Sequence, residues 1–126
     1  MLKQSKNKWL AATVIKGSGL GKKLGFPTAN LLPPKNFALP YGIYVSRAKL
    51  GRQLFDGVLY WGTKGGTGES LEIHLFDFDS QIYGKTLHFK IGRLIREDRK
   101  FDSVNQLKKQ ITEDLKIARR YLYIHI

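Results

Sequence analysis

The chain has 126 residues, 22 Lys and Arg against 10 Asp and Glu, no Cys, and 42% of its residues in the apolar set. That length fits one compact domain able to bury about two-thirds of its unfolded surface, and the absence of cysteine excludes a disulfide framework, a thiolate metal site and a cysteine nucleophile. A net charge of +12 calls for anionic partners such as nucleic acid, acidic lipid or small phosphorylated molecules, although the scatter of the positives assigns most of them to a solvated surface.

Met1 to Lys8 lacks the apolar core of a signal peptide, and no stretch approaches the ~20 apolar residues of a membrane span, so a cytoplasmic protein with no membrane partner is expected. The first strand-like run is Trp9 to Ile15. Gly17 to Asn30 follows, with glycines at 17, 19, 21 and 25. Such a loop turns backbone N–H groups toward one point and lets a phosphate approach without obstruction by Cβ atoms, although a flexible hairpin has the same composition. It is neither a Walker A loop, which would need glycine where Lys16 stands, nor a dinucleotide fingerprint. Within Pro27-Thr28-Ala29-Asn30, extended backbone aims the Thr28 hydroxyl and Asn30 amide to one side. Both are hard neutral oxygen donors suited to Mg²⁺ whose shell is completed by phosphate and water, and the alternative is a turn whose side chains bond local backbone.

Further runs cover Gly42 to Leu50 and Gln53 to Tyr60, joined by Gly51-Arg52 as a two-residue type II′ hairpin, then Ser70 to Phe78 and Lys85 to Ile95. Five short strands in sequence suggest an antiparallel barrel or sandwich. In Leu71-Glu72-Ile73-His74-Leu75 the alternation puts Glu72 and His74 on the face opposite the three apolar residues. A carboxylate held on a rigid strand suits a general base for an alcohol attacking phosphorus, and the plainer reading is an exposed acid beside a Lys. His74, His88 and His125 show no metal-ligand spacing. From Ser103 the period becomes helical, with Val104, Leu107, Ile111, Leu115, Ala118 and Leu122 as a core-facing stripe, Ser103 and Gln106 as a capping box, and an end near Tyr121.

Taken in order, G-F-P-T-A-N at Gly25 to Asn30, L-P-Y-G-I-Y at Leu39 to Tyr44, L-E-I-H-L-F-D-F at Leu71 to Phe78, I-Y-G at Ile82 to Gly84 and L-I-R-E-D-R-K-F-D-S at Leu94 to Ser103 form a set. The set resembles the riboflavin kinase (flavokinase) domain, which in many bacteria is the C-terminal half of a bifunctional riboflavin kinase and FAD synthetase. The resemblance covers about Trp9 to Leu122 and implies one mainly β domain over 1–126, a six-stranded antiparallel Greek-key barrel with a C-terminal helix. It implies transfer of the ATP γ-phosphoryl to the riboflavin 5′-hydroxyl, with FMN and ADP as products. In the same family Thr28 and Asn30 match the ligands of Mg²⁺, and Glu72 matches the base. Gly17 and Lys22 match the flap over the ATP phosphates, and Leu75, Asp77 and Tyr83 the adenine side. Arg96 and Arg99 match the basic loop near the flavin, followed by Gln106 and Lys109 at the start of the helix.

Tyr60 to Ser70 is shorter than its family counterpart and lacks the Asn and Pro common there. No adenylyltransferase pattern precedes Trp9, so FAD synthesis is not expected, and the expected state is a monomer. Two competing readings are a basic barrel binding RNA or single-stranded DNA through Trp9, Tyr41, Tyr44 and Trp61, ranked below the kinase, and a flavin-binding relative without turnover.

Overall fold

A computed structural model of the chain describes residues 8–17, 20–64, 66 and 68–125. The elements in order are β1 (Leu10–Ile15), α1 (Leu20–Lys23), β2 (Ala29–Leu31), β3 (Gly42–Leu50), β4 (Gln53–Gly62), β5 (Ser70–Leu75), β6 (Thr86–Glu97) and α2 (Val104–His125). The strands close into an antiparallel barrel in the order β1-β2-β5-β4-β3-β6. Strands β3, β4 and β5 are consecutive neighbours and β6 returns beside β3, which is the Greek-key arrangement. Closure pairs every strand on both sides and removes the exposed edge of an open sheet.

Alternation accounts for the interior. Val14, Leu31, Tyr44, Ala48, Leu59, Trp61, Leu71, Ile73, Leu75, Leu87, Phe89 and Ile91 all join one buried cluster. Ser46 is buried too, and its hydroxyl donates to the Lys90 carbonyl at 2.6 Å, which satisfies it where the β3–β6 register shifts. Burial of Tyr44 and Trp61 removes both from the aromatics offered above for nucleic acid. At Gly51 φ is +61° while Arg52 has no positive φ, and Leu50 pairs with Gln53, as a type II′ hairpin requires.

The observed bounds depart from the sequence pattern at several ends. β5 stops at Leu75 because the chain turns through Asp77 in the left-handed region at φ 60°. β6 runs on to Glu97, and α2 continues to His125. The sixth strand is the three-residue β2 inside the Pro-Thr-Ala-Asn segment. Ser18 and Gly19 of the glycine loop lie outside the described residues.

Helix α2 lies on the outside of the barrel. Ala118 and Leu122 pack with Ile43, Val45, Val58 and Phe76 in a second buried cluster, with Leu115 and Tyr121 at its margin. The first half of the expected stripe does not join that core: Val104 is 57% exposed, and Leu107 and Ile111 face a cavity. At its start the Gln106 amide donates to Ser103 Oγ at 3.1 Å, while Gln106 Oε1 accepts from the Asp102 amide at 3.2 Å, so the cap reaches one residue further back than expected.

Candidate active site

One register line crosses the outer face of the barrel. Asn30 on β2 stands opposite Glu72 on β5, Glu72 opposite Tyr60 on β4, Tyr60 opposite Ile43 on β3, and Ile43 opposite Arg96 on β6. Directly paired residues of an antiparallel sheet point to the same face, so five strands deliver an amide, a carboxylate, a phenol, an apolar floor and a guanidinium to one surface. Above it, α2, the 98–103 segment and the Gly21 to Thr28 segment enclose a cavity of about 750 Å³. That volume falls within the range of small-molecule sites. Leu24, Phe26, Val58, Leu107, Ile111 and Leu115 supply its apolar walls.

Glu72 is 8% exposed. Its Oε2 accepts from Ser70 Oγ at 2.8 Å and contacts the Lys64 ammonium, while its Oε1 faces Thr28 Oγ1 at 3.4 Å. A buried carboxylate needs partners of this kind to remain in the fold. His74, one turn of the pleat away, directs Nδ1 to the Pro27 carbonyl at 2.7 Å and so ties β5 to the segment carrying Thr28. Burial pulls its pKa below the ordinary histidine value, against the Pro27 carbonyl that favours the charged ring. The Tyr60 phenol is pushed up to about 12, chiefly by burial. It donates to Asp98 Oδ2 at 3.1 Å and accepts from the Lys64 amide at 3.1 Å.

At the other end, Arg96 Nε donates to both Asp114 oxygens at 3.0 Å, with Nη2 at 2.9 Å from Oδ2. Gln110 donates to the same carboxylate at 2.9 Å and accepts from Arg99. Both guanidiniums lie over Phe101, at 5.4 and 5.0 Å from the ring centre.

Of the residues singled out in the sequence, Thr28, Glu72, Arg96 and Arg99 line the cavity together. Asn30 joins them through its pairing with Glu72, and Gly17 packs on Asn30 so closely that any Cβ there would collide with the amide. The remaining residues lie elsewhere. Lys22 is exposed on α1, the Leu75 side chain is inside the barrel, Asp77 and Tyr83 are exposed, Gln106 caps α2, and Lys109 is exposed on that helix. The pattern did not find Lys64, Ser70, Asp98 and Asp114. Tyr60 was within reach of the alternation argument, being one register partner from Glu72. Among the described residues no three His, Cys, Asp or Glu side chains cluster as a metal cage. The donors at hand, a hydroxyl, an amide and one carboxylate, fit a Mg²⁺ whose other ligands are phosphate and water.

The family described as Flavokinase, riboflavin kinase, matches residues 5–122. The chain belongs to the riboflavin kinase family. A Bacillus subtilis relative described as RNA-binding riboflavin kinase RibR is 43% identical over 93% of this chain and 53% of its own length. A Buchnera aphidicola bifunctional riboflavin kinase/FMN adenylyltransferase is 34% identical over 92% of this chain and 39% of its own. The chain thus spans about half, or less, of the curated riboflavin kinases it matches. The solved riboflavin kinase of Trypanosoma brucei superposes with a TM-score of 0.65 at 21% identity, covering 91% of this chain and 79% of that one, a likeness of fold. The riboflavin kinase barrel expected from the ordered motifs is the one observed. No helix among the described residues is long and apolar enough to cross a membrane.

Proposed function

We propose that this chain transfers the γ-phosphoryl group of ATP to the 5′-hydroxyl of riboflavin, giving FMN and ADP. The observation that carries the reading is the buried Glu72 carboxylate at one end of an apolar cavity, with the Thr28 hydroxyl facing it. A flat, largely apolar ring system fits between the walls of α2 and the Leu24–Phe26 segment, with Arg96 and Arg99 at its polar margin. The ribityl chain then runs toward Glu72, which accepts the proton of the terminal hydroxyl as the oxygen attacks phosphorus. Thr28 and Asn30 would hold the divalent cation, which when bound neutralises the nucleotide phosphates. Gly17 leaves room beside Asn30 that any larger residue would fill. ATP would lie on the β1–β2 side, within reach of Lys22, Asp77 and Tyr83, with Leu75 contributing through its backbone.

Phosphoryl transfer asks for positioning and charge stabilisation more than for covalent chemistry, and this residue set supplies both. The test is incubation with riboflavin, ATP and Mg²⁺, with FMN separated by chromatography, beside Glu72→Gln. The parent is expected to form FMN and the variant to lose about 10²–10⁴-fold in rate. No FMN from the parent with any divalent metal rejects the kinase; a variant at the parent rate rejects Glu72 as base.

Nucleic-acid contact is a second reading, favoured by one surface feature. The Lys49 and Lys90 ammoniums lie 4.2 and 4.7 Å from the Trp9 ring centre, and Arg47 faces Lys90 across the β3–β6 ladder as Lys49 faces His88. Arg47 is already paired with Asp56 at 2.9 Å, so the feature rests on the two ammoniums at the Trp9 ring, a concentration of positive charge beside an aromatic face that suits single-stranded nucleic acid. The Bacillus subtilis relative is described as RNA-binding. Binding of single-stranded RNA that is lost in Lys49→Glu/Lys90→Glu supports this reading, and equal binding by parent and variant rejects it.

A further inference from the structure

The turn after β4 brings into the cavity a cation that the recognised motifs do not include. Lys64 sits at φ 50°, in the left-handed region. Its amide donates to Tyr60 Oη at 3.1 Å, and the preceding Thr63 amide donates to Asp98 Oδ2 at 3.3 Å. Two side chains therefore hold two successive backbone amides, and the Lys64 side chain leaves this fixed base toward β5, where its ammonium meets Glu72 Oε2. Ser70 donates to that same oxygen at 2.8 Å, whereas Oε1 has the longer 3.4 Å approach from Thr28. Among the described residues Lys64 and Lys100 are the lysines lining the cavity, and of the two Lys64 touches the carboxylate.

We propose that Lys64 is a catalytic residue whose ammonium passes from Glu72 to the phosphoryl group during transfer. The proposal rests on the kinase reading above. A base stands about 2.6–3.2 Å from the hydroxyl oxygen it deprotonates, and that oxygen starts about 3–3.5 Å from the phosphorus it attacks. The phosphorus therefore lies within about 7 Å of the Glu72 carboxylate. An ammonium already in contact with that carboxylate, on a flexible four-carbon stem, reaches the phosphoryl oxygens by side-chain rotation alone. The 5′-oxygen–phosphorus bond forms, the bond from phosphorus to the ADP oxygen breaks with its electron pair, the hydroxyl proton passes to Glu72, and Lys64 keeps all its protons. As Glu72 becomes neutral it releases its counter-ion, and the cation follows the negative charge to the equatorial oxygens, where a loose transition state gathers it. Exposed Lys22 on α1 does not touch this carboxylate, so the role falls to the turn lysine.

The experiment compares the parent with Lys64→Met and Lys64→Arg. For Lys64→Met the expected loss is about 10²–10³-fold in kcat, as for removal of one donor to a developing charge. The riboflavin KM should stay at its parental value, the melting temperature without ligand should fall because buried Glu72 loses a partner, and Lys64→Arg should recover part of kcat and of that fall. A binding measurement runs alongside: ADP, Mg²⁺, riboflavin and aluminium fluoride, a mimic of the phosphoryl in flight, should raise the melting temperature of the parent above the value with ADP, Mg²⁺ and riboflavin. Lys64→Met should lack that additional rise. Parental kcat in Lys64→Met, retention of the fluoride-dependent rise, or a loss seen only as raised KM each overturns the proposal while the kinase stands. A parent that forms no FMN overturns both.

Discussion

Tyr60 is where the two loops bordering the cavity are joined, since its hydroxyl bridges Asp98 after β6 and the Lys64 amide after β4. A phenol held up to about 12 has a signature in stability. The folded chain keeps a proton that the unfolded chain releases near pH 10, so stability declines as pH rises from about 10 through about 12. Tyr60→Phe should flatten this alkaline limb in denaturation curves recorded between pH 8 and 11.5, and an unchanged limb would assign it to other groups. Strand alternation made Glu72 and its outward face legible in the sequence, and the proline turn did the same for Thr28 and Asn30. Lys64 was not legible, because residues in an irregular turn carry no period and its direction depends on Tyr60 and Asp98, one at the end of another element and one beyond it.

At the level of elements, helix α2 divides along its length. Its C-terminal half is anchored by Ala118 and Leu122, and its N-terminal half forms a cavity wall. The two halves meet at Asp114, 2% exposed and fastened to Arg96 on β6. Removing one partner of such a pair strands the other charge. Asp114→Ala is expected to cost about 3 kcal/mol in urea denaturation, and to raise the riboflavin KM because the wall loses its strut; a loss under about 1 kcal/mol, the value of an exposed pair, would show that the pair is not a strut. The sequence period located this helix well but could not divide it. Apolar residues spaced for a helix read alike whether they meet a barrel or a ligand cavity. Strand β2 escaped the pattern for a different reason: three residues are too few to display alternation, and only the ordered motifs implied a sixth strand.

Over the whole molecule, the charge of +12 is not evenly spread in its consequences. Several of the 10 acids serve the site or its borders, with Glu72, Asp98 and Asp114 engaged by Lys64, Tyr60 and Arg96. Cations such as Lys49 and Lys90 gather instead around Trp9 on the barrel exterior. Composition could announce the surplus but not this sorting, which depends on strand pairing between residues far apart in the chain, as with Arg47 and Lys90.

The register line from Asn30 to Arg96 makes the protein unequally tolerant of changes in length. Deleting Leu71 would turn Glu72 toward the barrel interior and Ile73 toward the cavity, and a closed barrel has no free edge along which the strand could slip back. One extra residue between Gly68 and Ser70, by contrast, lengthens an exposed connection at a cost of about a few tenths of a kcal/mol in loop entropy. A scan of single deletions and insertions, scored for folded yield and separately for FMN formation, should lose both in β5. Between Gly68 and Ser70 it should lose at most the second, so that chain length in this protein is proofread strand by strand by the barrel and only loosely by its loops.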